Sequence, residues 1–440
     1  MAVFATLVPG CLLKLDGLDA GLDDESADSD SDGNCNGDNG DGDGDGGLDA
    51  LECLIGTEVD ALGVTQSSWA PPCEVTCAEG WGHDGDQLPI AWTTSVSAYP
   101  PGAHHNPRAI GLLDNGRVVV GIVGEQSVAF QFFQPDGVNF GGFEVAGFGR
   151  VQDVEIVSNR AYVTHDGGNG TVAVSAVGLS SSSEQELWRT TFGGASAPAV
   201  ARGGGKVAFL LGLVDQDDFL QYDLVVLDLD GAPLWSAPVG GASNLAFSPS
   251  GERIAVVGNH DTRIYEAEDG DLIDEFVTDS WIYPWAVTFA DEDRVIAVGG
   301  RLDLERWDAW LAGDSLAGGS VWEVSYNRAT LWCPDPEDSP LSASTAEWLG
   351  DVIPLADGSL LAIGYESHEQ DDVYGGQPWV VRFSAEGEYL ASDRGLWNGY
   401  SVDTVAAPDG SVFVLIAGEG QPQDDPDLVI QDFWVRKYVP

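Results

Sequence analysis

The chain is short of positive charge. Its 440 residues hold 72 Asp and Glu against 18 Lys and Arg, a formal net charge of −54. The only lysines are Lys14, Lys206 and Lys437. A polyanion of this kind is repelled by nucleic acid and by anionic membrane, which excludes both as partners. Long apolar runs are missing too: none reaches the roughly 18 residues that span a bilayer. The motifs of common catalytic sites are also absent. There is no Gly-x-Ser-x-Gly elbow, no phosphate-binding glycine loop and no His-Glu-x-x-His helix. The six histidines (His83, His104, His105, His165, His260 and His368) are scattered and suggest no shared centre. Enzymatic chemistry is therefore thinly supplied, and a non-catalytic role is the expectation.

What the chain does have is turns and a core. Its 57 Gly and 22 Pro punctuate short β-branched runs, and 43% hydrophobic residues with 15 Trp can fill an interior. The composition divides the chain into four parts. Residues 1–11 are apolar and end on Cys11. Residues 12–50 are an Asp/Gly/Ser stalk too poor in apolar side chains to fold unaided. Residues 51–87 form a connector that carries Cys53, Cys73 and Cys77. From residue 88 to 440 the texture becomes that of an all-β domain. With Cys35, four cysteines cluster where a core is least available, which suits disulfides in an oxidising compartment.

Within 88–440 seven segments share one pattern, a polar or glycine turn followed by an apolar strand. They begin at Asn115, Asn159, Gly205, Glu252, Asp293, Gly358 and Gly410, at a spacing close to propeller blades. A second strand follows each: Ser127–Phe132, Thr171–Val174, Asp223–Asp228, Asp261–Tyr265, Ser320–Val324, Trp379–Phe383 and Phe433–Lys437. Outer strands then come at Glu186–Arg189, Pro233–Ser236 and Ala329–Trp332. No outer strand follows Phe433–Lys437. Pro89–Thr94 looks like one and stands alone before the first repeat. The expected fold is a β-propeller of about seven four-stranded blades closed by that N-terminal strand, which removes an exposed edge.

Phe433–Tyr438, Ala407–Ser411 and Asp228–Trp235 resemble the PQQ-like and WD-like propeller repeats of bacterial extracytoplasmic proteins. The resemblance covers about residues 88–440 and implies a fold, since propellers serve many functions. The one Trp-Asp dipeptide, Trp307-Asp308, falls in what reads as an irregular insertion. Leu7-Val-Pro-Gly-Cys11 resembles a bacterial lipobox, which implies that Cys11 is lipid-modified and that the protein is held at the cell surface, or otherwise secreted.

The stalk carries the best chemical motif. Asp41, Asp43, Asp45 and Asp49 stand at positions 1, 3, 5 and 9 of a twelve-residue loop, with Gly46 at 6 and Glu52 at 12. Calcium takes six to eight hard oxygens, and such a loop curls them round the ion; the Gly47 carbonyl supplies the backbone ligand. The run resembles thrombospondin type 3 and dockerin repeats. A second register, Asp28-Ser-Asp30-Ser-Asp32-Gly33, lacks the final carboxylate.

For a binding face, the stretches 300–320 and 365–378 insert Trp307, Trp310, Tyr365, His368 and Tyr374. Aromatic rings there suit a glycan or a protein partner. The expected protein is a monomeric surface lipoprotein that binds such a partner. The alternative is an extracytoplasmic propeller enzyme, either a quinone-dependent dehydrogenase or a glycan-acting hydrolase or lyase. It predicts His, Arg and carboxylates gathered on one propeller face.

Overall fold

The computed structural model describes residues 53–59, 64–70, 88–95, 106–124, 126–179, 185–214, 220–303, 306–316, 318, 320–326, 345–370, 373–394, 399–422 and 430–439. The stalk, Cys11 and the calcium loop Asp41–Glu52 lie outside them.

Seven four-stranded antiparallel sheets form a β-propeller. The innermost strands are Asn106–Leu112, Val151–Val157, Val200–Gly203, Ala242–Phe247, Ile282–Phe289, Thr345–Pro354 and Gly399–Ala406, belonging to blades 1 to 7. Each packs against the next, and the seventh packs against the first, around a central channel. We call the face where these strands begin the upper face.

The strand patterns follow from this geometry. Second strands such as Val118–Val123 and Arg253–Gly258 are buried along their length. Both faces of a blade are covered by its neighbours, so alternation gives way to continuous apolar runs. Outer strands meet water: Leu272–Val277 is mostly exposed. Seven apolar clusters fill the seven seams between blades, one per seam.

Ring closure is as the repeats suggested. Ile90–Ser95 pairs antiparallel with Ile430–Tyr438 as the outer strand of blade 7. Two further strands, Cys53–Val59 and Val64–Ala70, form a hairpin in what reads as a connector, and the second pairs with the end of Val412–Pro422.

Blade 5 corrects the sequence reading. Its third strand is Arg306–Ser315, and Ser320–Tyr326, read as third, is the outer strand. Ala329–Trp332 lies outside the described residues. The stretches read as irregular insertions are regular hairpins drawn out beyond the upper face: Arg294–Asp303 with Arg306–Ser315, and Leu360–Gln370 with Val373–Phe383.

A tryptophan latch recurs at the lower face. Trp92, Trp188, Trp235 and Trp322 sit on outer strands and donate from Nε1 to the carbonyls of Pro135, Leu229, Ala267 and Ala385, each in the next blade's turn. Their rings lie on Gly137, Gly231, Gly270 and Gly387, all with φ between 80° and 86°. Only glycine adopts that conformation without strain, and a Cβ at Gly231 would come within 2.6 Å of the Trp188 ring. Seam 6–7 cannot use this latch, because no turn joins the third and outer strands of blade 7. There Asp393 of blade 6 takes the Arg436 guanidinium and the Tyr438 hydroxyl, an ion pair only 5% and 13% exposed.

Candidate functional site

Six innermost strands are bulged at one level near the upper mouth of the channel. The register slips between Pro107 and Ala109, Val151 and Asp153, Ala242 and Asn244, Pro284 and Ala286, Leu349 and Asp351, and Ser401 and Asp403. A bulge re-aims the side chains around it. The residue just after the slip is Asp in three blades and Asn in one.

These aspartates staple blade to blade. Asp153 accepts from the Val200 amide at 2.9 Å, and Asp403 from the Ile110 amide at 2.7 Å. Asp351 accepts from the Thr404 hydroxyl at 2.6 Å and from its own neighbour Val352 at 2.8 Å. Seams 2–3, 6–7 and 7–1 are thus tied at the channel wall.

The same carboxylates crowd one another. Burial pushes Asp153 up to about 6, against the hydrogen bonds from Val200 and Val154 and the charge of Arg108. Glu155, one turn of the pleat below, is pushed up to about 8 by burial and then by Asp153 and Asp351, with Arg202 opposing. Burial raises Asp351, and burial with the charge of Asp351 raises Asp403 well above the carboxylate range. Glu155 on blade 2 and Asp351 on blade 6 influence each other because both face the channel. Among the described residues no group of three His, Cys, Asp or Glu is placed to hold a metal ion.

Above this mouth, blades 4 to 6 carry a continuous row of rings. His260 stands edge-on to Tyr283 at 5.0 Å, and Tyr283 to Trp307 at 5.2 Å. Trp307 meets Trp285 at 5.5 Å, Trp285 meets Trp348 at 5.9 Å and 82°, and Trp348 meets Tyr365 at 4.7 Å. All six are half-buried, so each keeps a surface toward water. Glycines make room for them: a Cβ on Gly300 would lie 2.7 Å from Trp307 and 3.0 Å from Trp285. Such glycines inside a strand mark a close approach. Trp285 occupies the bulge position itself, so the row touches the channel rim at its middle.

Of the sequence candidates, Trp307 and Tyr365 belong to this row. Trp310 is 1% exposed and packs in the seam between blades 4 and 5. His368 and Tyr374 lie at the upper ends of the blade 6 hairpin, and their side chains fall outside the described residues. Sequence reasoning missed Tyr283, Trp285, Trp348 and the channel acids. One signal was available: Asn244, Asp351 and Asp403 each stand seven residues before a turn glycine, Gly251, Gly358 and Gly410. Of the other histidines, His165 is fully buried, with Nε2 3.0 Å from the Ser175 hydroxyl, and burial lowers its pKa.

No family model and no curated protein matches the chain. Among solved structures, it is similar to a Bacteroides uniformis protein provisionally named a 6-phosphogluconolactonase, at 12% identity and a TM-score of 0.46. It is also similar to a Desulfotomaculum acetoxidans protein of unknown function, at 14% identity and 0.44. Each likeness covers 69% of this chain and 90% of the other. Identity this low says nothing of chemistry.

Proposed function

We propose that this chain is a non-catalytic binding protein of the bacterial surface whose propeller holds a glycan on its upper face. In this reading the calcium loop Asp41–Glu52 stiffens a stalk that ends on a lipid-modified Cys11. The observation that carries the binding role is the row from His260 to Tyr365. Six half-buried rings run in contact across three blades, each keeping a surface toward water, with Gly300 leaving room for two of them. Flat apolar ring faces match the apolar faces of sugar rings.

Calorimetry of the propeller against neutral and charged oligosaccharides, with Trp348→Ala alongside, tests it. Binding that Trp348→Ala abolishes supports the reading. Absence of any glycan binding, with capture of a defined protein instead, replaces it by the protein-partner form. For the stalk, millimolar calcium should protect residues 20–60 from protease.

A second reading has one observation in its favour. Among the described residues, carboxylates gather at the channel with Arg108 and Arg202 near them, and Glu155 is pushed up to about 8. Perturbed acids in a cleft are candidate general acids. Glycan cleavage lost in Glu155→Gln would establish this enzyme reading.

A further inference from the structure

We propose that the glycan held by the aromatic row carries free, protonated amines, so that its sugars are amino sugars rather than neutral or acidic ones. The inference rests on the glycan reading above and adds the charge of the ligand.

Charge complementarity is the first ground. The hairpins that carry the row also carry Asp303, Asp308, Glu366 and Glu369 in their sequence, and the neighbouring strand Ser320–Tyr326 carries Glu323. Against them stand Arg301, Arg306 and His368. Arg301 is already shared with Glu323 at 4.0 Å. His260 is engaged with the Ile282 carbonyl at 2.9 Å. Lys206 and Lys437 sit at the far face, on Glu268 and Asp409. A uronate or sulfated chain would meet repulsion here; an ammonium would not.

The shape of the row is the second ground. Trp285 and Trp348 stand nearly perpendicular, at 82°, which makes a corner at the channel rim. A cation in such a corner faces two indole rings and gains from both quadrupoles. Beneath it lie Asp351, one residue past the bulge that aligns with Trp285, and then Asp153, Asp403 and Glu155. An ammonium at the mouth favours the ionised form of these carboxylates, which burial first and their mutual repulsion second oppose at Glu155. A sugar ring on Trp307 and Trp285 with its amine toward the rim uses both the stacking surface and the field.

The test compares three hexasaccharides by calorimetry at pH 6: fully de-N-acetylated β-1,4-glucosamine, its N-acetylated counterpart and a β-1,4-mannuronate. We expect the free-amine hexamer to bind at least about ten-fold tighter than the N-acetylated one at low ionic strength. That preference should shrink several-fold at about 0.5 M salt, where screening is short-ranged. Trp285→Ala should weaken both hexamers. Trp285→Phe, which keeps a ring, guards against a folding defect and should retain most of the preference. Equal or tighter binding of the N-acetylated hexamer, still lost in Trp285→Ala, overturns the amine inference and leaves the glycan reading standing. No binding of any hexamer overturns both.

Discussion

The lower rim and the upper face of this propeller obey different rules. At the lower rim one arrangement recurs: Trp92, Trp188, Trp235 and Trp322 each lie on a left-handed glycine of the next blade and hydrogen-bond its turn. At the upper face the rings do not recur. Trp285, Trp348 and Tyr365 have no counterparts in blades 1 to 3, and the hairpins of blades 5 and 6 are drawn out to hold their row. What repeats serves the ring, because every seam poses the same packing problem. What departs from the repeat on three adjacent blades serves something the ring does not need. The channel staples sit between these cases: they recur at a fixed level, yet only some blades supply the carboxylate.

Four experiments sharpen or break that contrast. The largest effect is expected at Gly231. An alanine there meets φ of 83° and a ring pinned by its bond to Leu229, so Gly231→Ala should cost about 3 kcal/mol in urea unfolding. A cost near zero would mean the latch does not hold the seam. Trp188→Ala, which removes a half-buried ring and its hydrogen bond, should cost about 2–3 kcal/mol with no change in ligand binding.

The third concerns pH. Asp153 near 6 and Glu155 near 8 bind protons more tightly in the folded chain than in the unfolded one, where carboxylates titrate near about 4. Their contribution is whole at acid pH below that value. It is lost as pH rises through 6 and then 8. The melting midpoint should therefore fall between pH 5 and 9, and Glu155→Gln should flatten the upper half of that fall. A wild-type and Glu155→Gln pair with parallel profiles would remove Glu155 from the account.

The smallest stability effect is expected at Gly300→Ala. The intruding Cβ would come nearly as close to a ring as at Gly231, 2.7 Å against 2.6 Å, but the backbone there is outside the left-handed region and the Trp307 ring can tilt. We expect under about 1 kcal/mol in stability together with a marked loss of glycan affinity. Loss of stability without loss of binding would make the row a packing device like the latch.

The second strands were legible because burial on both sides writes apolar runs such as Ile254-Ala-Val-Val257 into the sequence. The closing strand was legible because Ile90-Ala-Trp-Thr-Thr94 repeats the Trp-x-Thr pattern that the latch uses at Trp188 and Thr190. Arg306–Ser315 was not, since its apolar run, Ala309-Trp-Leu-Ala312, is short and flanked by Arg306, Asp308 and Asp314. Six of the seven innermost strands are bulged, and the seventh, Val200–Gly203, has four residues, so no unbroken alternation marks them. The row itself joins blades whose sequence separation spans His260 to Tyr365; only Trp307 and Tyr365 stood out, as aromatics in stretches that broke the repeat. Contacts of that kind have no local signature.

The pairing of Ile90–Ser95 with Ile430–Tyr438 also sets a clock on biosynthesis. Thr93 meets Arg436 across 343 positions of sequence. At roughly 5–20 residues per second, that strand waits on the order of tens of seconds on the ribosome before its partner exists. During the wait it is an unsatisfied β-edge, the kind of segment that recruits neighbouring nascent chains. Its run of Thr93, Thr94 and Ser95 makes it a poorer template for such recruitment than any apolar second strand would be. The clasp thus carries its tryptophan in a less adhesive sequence than the apolar second strands.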